Sequence, residues 1–533
     1  MDLSFAVGDA AEKIGVVVLG CTTALALTTG AGRRRTAAVS GTLVLAAILL
    51  VGHIWNNAQF RSISGDATKF TVLLVLGLTL VAALAVLFRR RAEAFPLLAV
   101  AALPFRVPIE AGGTTSNLLV PLYLVIAGGV AAFAWDEIEG RREARAPAVS
   151  PVRMLRVALA VFVVLYAIQS LYSNDFSNAL QQMVFFYVPF ALLFVLLAEV
   201  DWDRRLLVGC LGVLVALALV FSAIGFWEYD HRELLWNPKV IHANQFSSHF
   251  RVNSVFWDPS IFGRFLVIVM LALTAVMIWS TRPRSIGAIA LALPVLMGGL
   301  VLTLSQSSIS ALLAGLAALA AVRWNARKAA IATATGLVLA GVFVVSFQGA
   351  LRIHLGSSGG LNKATSGRGD LIRGGLELFA DRPLWGHGSG SFAKTYREEK
   401  GTSQQATSAS HTIPLTIAAE QGPLGLAAYV FLLVAAVEVL LGRAWSPRRA
   451  RSRAPPPEVD GAAAGGPGLV ARAALVACLA AVVVHTMAYA AFLEDPFTWV
   501  ILAVGAALAS GPALVRAPLA AAGPGVEPAP AAA

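Results

Sequence analysis

An all-α polytopic membrane fold, a helical bundle of roughly 12–15 transmembrane helices with a large outward loop, is what this sequence predicts. Three observations carry that reading. Of the 533 residues, 57% are hydrophobic and 13% charged, against about 45–50% apolar and about 25% charged in soluble domains. The apolar residues come in blocks of roughly 17–20, the length a helix needs to cross about 30 Å of hydrocarbon. Within the blocks, apolar and polar residues do not alternate as they do in the strands of a membrane barrel.

In chain order the apolar segments fall at 14–29, 37–54, 70–88, 94–109, 118–135, 154–172, 179–198, 206–226, 261–280, 286–304, 309–322, 329–347, 423–442, 469–492 and 497–515. The segment at 94–109 is short and carries Pro104 and Pro108. A bent or half-buried helix is expected there, its backbone satisfied by neighbours. Asp2, Asp9 and Glu12 stand where a cleavable signal would be basic, so the first block is expected to be retained. Cys21, Cys210 and Cys478 lie inside apolar blocks with neither a metal spacing nor a disulfide framework, and read as packing.

The formal charge is +11. On a soluble chain that excess would suggest nucleic acid; here the arginines sit in short loops between apolar blocks and read as topology signals. With the N-terminus outside, the loops carrying Arg33 to Arg35, Arg89 to Arg91, Arg141 to Arg156, Arg204 and Arg205, Arg282 and Arg284, Arg323 to Lys328, and Arg443 to Arg453 all face the cytoplasm. Two long loops, 227–260 and 348–422, then face outward. Residues 443–468 form a Pro/Gly/Arg-rich cytoplasmic linker, and the Ala/Pro/Gly-rich tail 516–533 is expected to be disordered.

The outward loops hold the chemistry. Arg251 precedes an aromatic-rich turn, FRVNSVFWDPSIFGRF, and Arg264 falls near the outer end of the next helix, where an arginine snorkels or meets an anion. The stretch SGRGDLIRGGLELFADRPLWGHGSGSF (366–392) spaces Ile372, Leu376 and Phe379 as one face of a short amphipathic helix ended by Pro383. That face is suited to the bundle or to the lipid interface. Arg368 starts the helix, and Arg373 lies one turn along, with Asp370 and Glu377 as ion-pair partners within reach. The guanidinium fork suits phosphate, which makes Arg251 and Arg368 the better candidates for holding one. The glycines at 386, 388 and 390 would let backbone approach a bulky ligand, although the same run serves equally as a hinge. In SHTIPLTIAAEQGPLGL (410–426), Ser410 is positioned to cap a helix beginning at His411. A helix N-terminus disfavours imidazolium, so His411 is expected to be neutral near neutral pH and able to accept a proton. A lone loop histidine is also a common surface hydrogen-bonding residue. Asp258, Glu420 and Asp495 read as supporting carboxylates or, equally, as helix caps and ion-pair partners.

The order of these features resembles the O-antigen ligase and polymerase superfamily of membrane glycosyltransferases. The matching pieces are FRVNSVFWDPSIFG, LTLSQSSISAL (302–312), GRGDLIRGGLELFADRPLWGHGSGSF, SHTIPLTIAAEQGPLGL and AYAAFLEDPFTWVILA (488–503). The resemblance covers roughly residues 180–510 and divides the chain into N-terminal helices (1–178), a ligase-like catalytic membrane domain (179–515) and the tail. It implies a C-type glycosyltransferase fold in the cytoplasmic membrane with its site on the extracytoplasmic face. The implied donor is a glycan on undecaprenyl pyrophosphate, and the acceptor is a hydroxyl of a glycan or lipid; no cofactor and no metal are implied. Carried over, Arg251, Arg368 and Arg373 would bind pyrophosphate, and His411 would act as general base or orient the acceptor. Two departures stand out: Thr412 follows His411 where many members have Asn, and Gln306 follows Ser305 where many have Arg. The rival class is a transporter or flippase of a lipid-linked or anionic substrate. It would require polar residues at mid-membrane depth, where this sequence offers mainly His485 and Glu438.

Overall fold

A computed structural model describes residues 3–54, 66–111, 114–141, 149–235, 241, 244, 250–324, 368–400, 412–442, 467–489 and 491–510. Among these residues, twelve helices are long and apolar enough to cross a membrane, so the chain is a multi-pass α-helical membrane protein as its composition predicts. The first half comprises α1 (Leu3–Thr28), α2 (Arg33–Ile54), α3 (Ala67–Arg90), α4 (Ala94–Ala102), α5 (Val120–Ile138), α6 (Ser150–Ser170), α7 (Phe176–Gln182), α8 (Val188–Leu197) and α9 (Arg204–His231). The second comprises α10 (Pro259–Trp279), α11 (Pro283–Leu302), α12 (Gln306–Arg323), α13 (Arg368–Asp381), α14 (Phe392–Lys400), α15 (Ile413–Leu441), α16 (Pro467–Thr486) and α17 (Pro496–Ser510). The segment expected at 329–347 lies outside the described residues.

One expected element is different. The stretch 94–109 is not a bent helix: α4 stops after nine residues, and the chain turns into an antiparallel hairpin, β1 (Val107–Ala111) and β2 (Thr114–Leu118), with Val107 opposite Leu118. Pro104 has no N–H to give the Val100 carbonyl and so cannot continue the helix. Pro108 is tolerated because both strands of a two-stranded ribbon are edges.

The centre of the bundle is α8, buried at every position except Pro189 and surrounded by α1, α2, α5 and α17. Its position, and not its all-round apolar sequence alone, makes it the core helix: α3 is as apolar but largely exposed. A π-helical turn, Met183–Tyr187, joins α7 to α8, and Tyr123 donates its hydroxyl to the Phe185 carbonyl at 2.6 Å. The two ends of the bundle differ in chemistry. At one end buried Arg35 pairs with Glu199, which Arg156 also approaches at 3.7 Å, and Arg89 pairs with Asp136 at 2.8 Å and with Glu139. These are the arginines that the topology argument groups together. The last turns of α6, α9, α11 and α16 and the first turns of α7, α10, α12, α15 and α17 meet at the opposite end.

Candidate functional site

The junction between α11 and α12 organises that opposite end. Ser305 caps α12, its hydroxyl accepting from the Ser308 N–H at 3.3 Å and lying 3.0 and 2.8 Å from the hydroxyls of Ser307 and Ser308. Both of those hydroxyls are 3.3 Å from Nε2 of His485, in the last turn of α16. The preceding residue, Leu304, has φ +49°, a conformation costly for a leucine. The turn is therefore held by its surroundings, a pattern that clusters at functional sites. Helix α10 presses against the junction through Gly263, where an added Cβ would lie 2.5 Å from the Ser308 hydroxyl.

Arg251 reaches the same junction: its Nε donates to the Thr303 carbonyl at 3.0 Å, and its terminal nitrogens meet no hydrogen-bond partner among the described residues. The strand of chain that carries it is fixed from three sides. Asn244 exchanges two hydrogen bonds with the Arg251 backbone, Leu302 accepts from the Val252 N–H, and Glu228 accepts from the N–H groups of Asn253 and Ser254. Arg264, next to Gly263, is buried and pairs with buried Asp495 at 2.6 Å while donating to the Ala491 carbonyl at 3.1 Å. Its guanidinium also lies 5.9 Å from the Tyr489 ring. Glu494 accepts from the Tyr187 hydroxyl at 2.9 Å, and burial raises its affinity for a proton.

The supporting carboxylates have structural duties. Asp258 caps α10 by accepting from the Ser260 N–H at 2.6 Å, and Asp495 combines its ion pair with a 3.0 Å bond from the Phe497 N–H. Glu420 fastens the glycine-rich loop, accepting from the N–H groups of Gly390 at 2.9 Å and Phe392 at 3.0 Å. The expectation that this loop approaches a ligand needs correcting, because its backbone approaches protein. Residues 386–392 are all buried. At Gly386 (φ +67°) a Cβ would lie 2.3 Å from the Glu420 carbonyl oxygen, and at Gly388 (φ +90°) 2.3 Å from the Ser173 Cα. The receptor is a break in α15, where Gly422 is left-handed and Pro423 follows. Pro423 has no N–H to give the carbonyl four residues back. That carbonyl, on Ala419, accepts from the His387 N–H at 3.0 Å, and the next, on Glu420, accepts from Gly388 at 2.8 Å. GHGSGSF and AEQGPLG are thus two halves of one interlock.

Arg368 is the first residue of α13; its side chain lies outside the described residues. Arg373, one turn on, is exposed. His411 lies outside the described residues, as does Ser410. Helix α15 begins at Ile413, with Thr412 rather than Ser410 as its N-cap, and the Thr412 hydroxyl donates to the Met487 carbonyl at 3.1 Å. That bond ties the residue following His411 to the segment 487–495. Of the two settings its spacing allows for α13, the bundle is not the one that takes Ile372 and Leu376. Ile372 and Leu376 are 41% and 54% exposed, while Leu378 packs on Phe392 and Tyr396, and Gly374 leaves room for the Tyr396 ring.

Asp381, His387 and Glu399 bring potential metal-ligand atoms within 4.8 Å of one another. His387 Nε2, however, lies 3.1 Å from the Leu378 carbonyl, which can only accept, so that nitrogen carries the proton and is committed as a donor. The polar end gathers guanidinium groups, hydroxyls and the carboxylates Asp258, Glu494 and Asp495 on broken backbone at the ends of apolar helices. Sequence reading missed Glu228, Tyr489 and the His485–serine contact, although the polar LSQSSIS run marked the place.

Residues 289–430 match the family model described as O-antigen ligase. No curated protein matches the chain significantly.

Proposed function

We propose, from the premise that residues 289–430 are an O-antigen ligase-type domain, that this membrane protein moves a glycan from undecaprenyl pyrophosphate to an acceptor hydroxyl on the outer face of the cytoplasmic membrane. The observation that carries the reading is the meeting of Arg251, Arg264 and the Ser305–Ser308 junction with Thr412, the neighbour of His411, at the end of the bundle opposite the arginine-rich loops.

In this reading the acceptor oxygen attacks the anomeric carbon while His411 takes its proton. The bond from the anomeric carbon to the pyrophosphate oxygen breaks, and undecaprenyl pyrophosphate leaves with the electron pair. A single displacement inverts the anomeric centre. Arg251 and Arg368, with Arg373 as a third, stabilise the charge growing on the leaving group. Each such preorganised contact is worth about 3–4 kcal/mol by analogy with oxyanion donors. Thr303 orients Arg251 through Nε, which turns the remaining fork outward for bidentate contact with phosphate. No step calls on a metal.

Purified protein in vesicles loaded with lipid-linked glycan tests the proposal. Transfer to an added acceptor, lost in His411→Ala and in Arg251→Ala, is the expected result. Normal transfer by inserted His411→Ala removes that residue from the mechanism. Translocation without transfer assigns the chain to the transporters instead.

A further inference from the structure

Helix α13 and the turn after it present an apolar surface that the described bundle leaves uncovered. Ile372 and Leu376 are exposed on α13, half-buried Phe379 continues their stripe, and Pro383, Leu384 and Trp385 extend it past the end of the helix. Leu384 and Trp385 are 69% and 64% exposed. Single exposed leucines are ordinary on any protein, but a contiguous apolar run ending in a tryptophan marks an interaction surface. The other side of α13 is engaged with protein, through Leu378 on Phe392 and Tyr396 and through Gly375 against Leu415.

The turn is also fixed in height. The Tyr172 hydroxyl, just past the end of α6, donates to the Trp385 carbonyl at 2.7 Å, and a Cβ at Gly422 would lie 2.5 Å from the Leu384 carbonyl oxygen. Tyr172, Arg382, Pro383, Leu384, Trp385 and Gly386 line an open cavity of about 660 Å³. Tyr172 ends the exposed stripe that runs along α6 through Val157, Val161 and Ile168. On α15, which packs beside α6, Leu424 begins a second stripe through Phe431 and Val434. Both helices are long and apolar enough to cross a membrane, so these stripes face lipid, and the cavity opens at the head of the first. Exposed aromatic rings stand at both ends of the bundle: Tyr172, Trp227 and Trp385 at the polar end, Trp135 and Trp324 at the other. Tyrosine and tryptophan take such places at the two boundaries of a bilayer.

We propose that α13 and the turn 382–386 lie in the headgroup layer of the bilayer at the polar end, with Ile372, Leu376 and Leu384 directed into the acyl chains and the cavity open to them. Continuity with the lipid-facing stripes of α6 and α15 selects lipid as the occupant. An interfacial helix binds through its buried apolar area, and anionic lipid adds attraction where the helix is basic. Here Arg373 and Arg382 are matched by Glu377 and Asp381, so the contact is apolar and does not select anionic lipid. This footing on the membrane goes beyond the transferase reading and does not depend on it.

Nitroxide labels on the full-length protein, in a cysteine-free background and in phosphatidylcholine nanodiscs, test this. Leu376→Cys and Leu384→Cys place the label on the stripe, and Glu377→Cys places it on the charged side. All three native side chains are exposed, so labelling is expected to leave the melting temperature unchanged. Power saturation then reads collisions with oxygen, which partitions into lipid, and with a water-soluble nickel chelate. The ratio of oxygen to chelate collisions is expected to be higher at 376 and at 384 than at 377, and to stay the same when phosphatidylglycerol is added. A ratio at either stripe position no higher than at 377 overturns the proposal by placing the stripe in water. Few collisions with both reagents at 376 and 384 overturn it by placing protein, such as a second copy, over the stripe. A ratio that depends on phosphatidylglycerol overturns it as an apolar contact.

Discussion

Removing the Asp495 carboxylate leaves Arg264 charged, buried and without its partner. Breaking a buried pair from one side costs about 3–5 kcal/mol, so Asp495→Ala is expected to lower thermal stability sharply, as detergent melting curves will register. Arg264 was legible in the sequence as an arginine at a helix end, and Asp495 as an ion-pair partner or cap, but their pairing was not. Residues 231 positions apart meet only through the packing of α10 against α16 and α17, and no local spacing encodes that. Arg251 is a different kind of residue. Its backbone is held from three sides and its Nε by Thr303, so substitution should spare folding and strike the reaction. Arg251→Ala is expected to lose about 10²–10³-fold in transfer rate, and Arg251→Lys to remain impaired because a point charge does not replace a fork. Unimpaired turnover by Arg251→Lys, measured at saturating donor, would count against a bidentate contact.

The interlock between the glycine loop and the broken helix explains why two motifs about 30 residues apart must both be present. Each glycine of 386, 388 and 390 combines a positive φ with a backbone neighbour at Cβ distance, a double requirement that no other residue meets. Gly386→Ala is therefore expected to release the loop, costing about 1–3 kcal/mol in strained backbone alone. Limited proteolysis will then cut within 386–392, a segment that is buried in the wild type. The glycines were visible in the sequence; their purpose was misread because a close approach looks the same whether the approaching surface is a ligand or a helix. The same limit applies to α13. Periodicity identified a helix, but Gly374 and Gly375 accept the Tyr396 and Leu415 side chains and so draw the helix in by the face next to the apolar stripe. A hydrophobicity pattern treats glycine as empty, whereas packing treats it as a socket. The hairpin at 107–118 was missed for a related reason: an apolar stretch interrupted by prolines reads as a damaged helix until its partner strand is seen.

Among the described residues, the arginines of the short loops gather at one end of the whole molecule, a grouping that was legible in the sequence. Lipid imposes it: arginines that anchor a helix end must find water or a carboxylate, as Arg35, Arg89 and Arg156 do with Glu199, Asp136 and Glu139. In cells expressing single-cysteine variants on a cysteine-free background, Trp385→Cys is expected to react with a membrane-impermeant maleimide from outside. Arg284→Cys should react only after permeabilisation. The reverse pattern would invert the orientation and remove an extracytoplasmic site. The candidate site was half legible. Arginine clusters and the LSQSSIS run mark its position, but Glu228 comes from the end of a helix whose sequence announces mainly hydrophobicity, and Tyr489 from a motif noticed for other residues. The break at Pro423 has a further effect on how this protein tolerates change. Alanine at that position is the better helix former by about 3 kcal/mol, yet it would restore the amide that claims the Ala419 oxygen and evict His387 from it. A substitution that any propensity scale scores as an improvement would thus trade a sturdier rod for a detached clasp, and natural variation at 423 should shun the residues most favourable to a continuous α-helix.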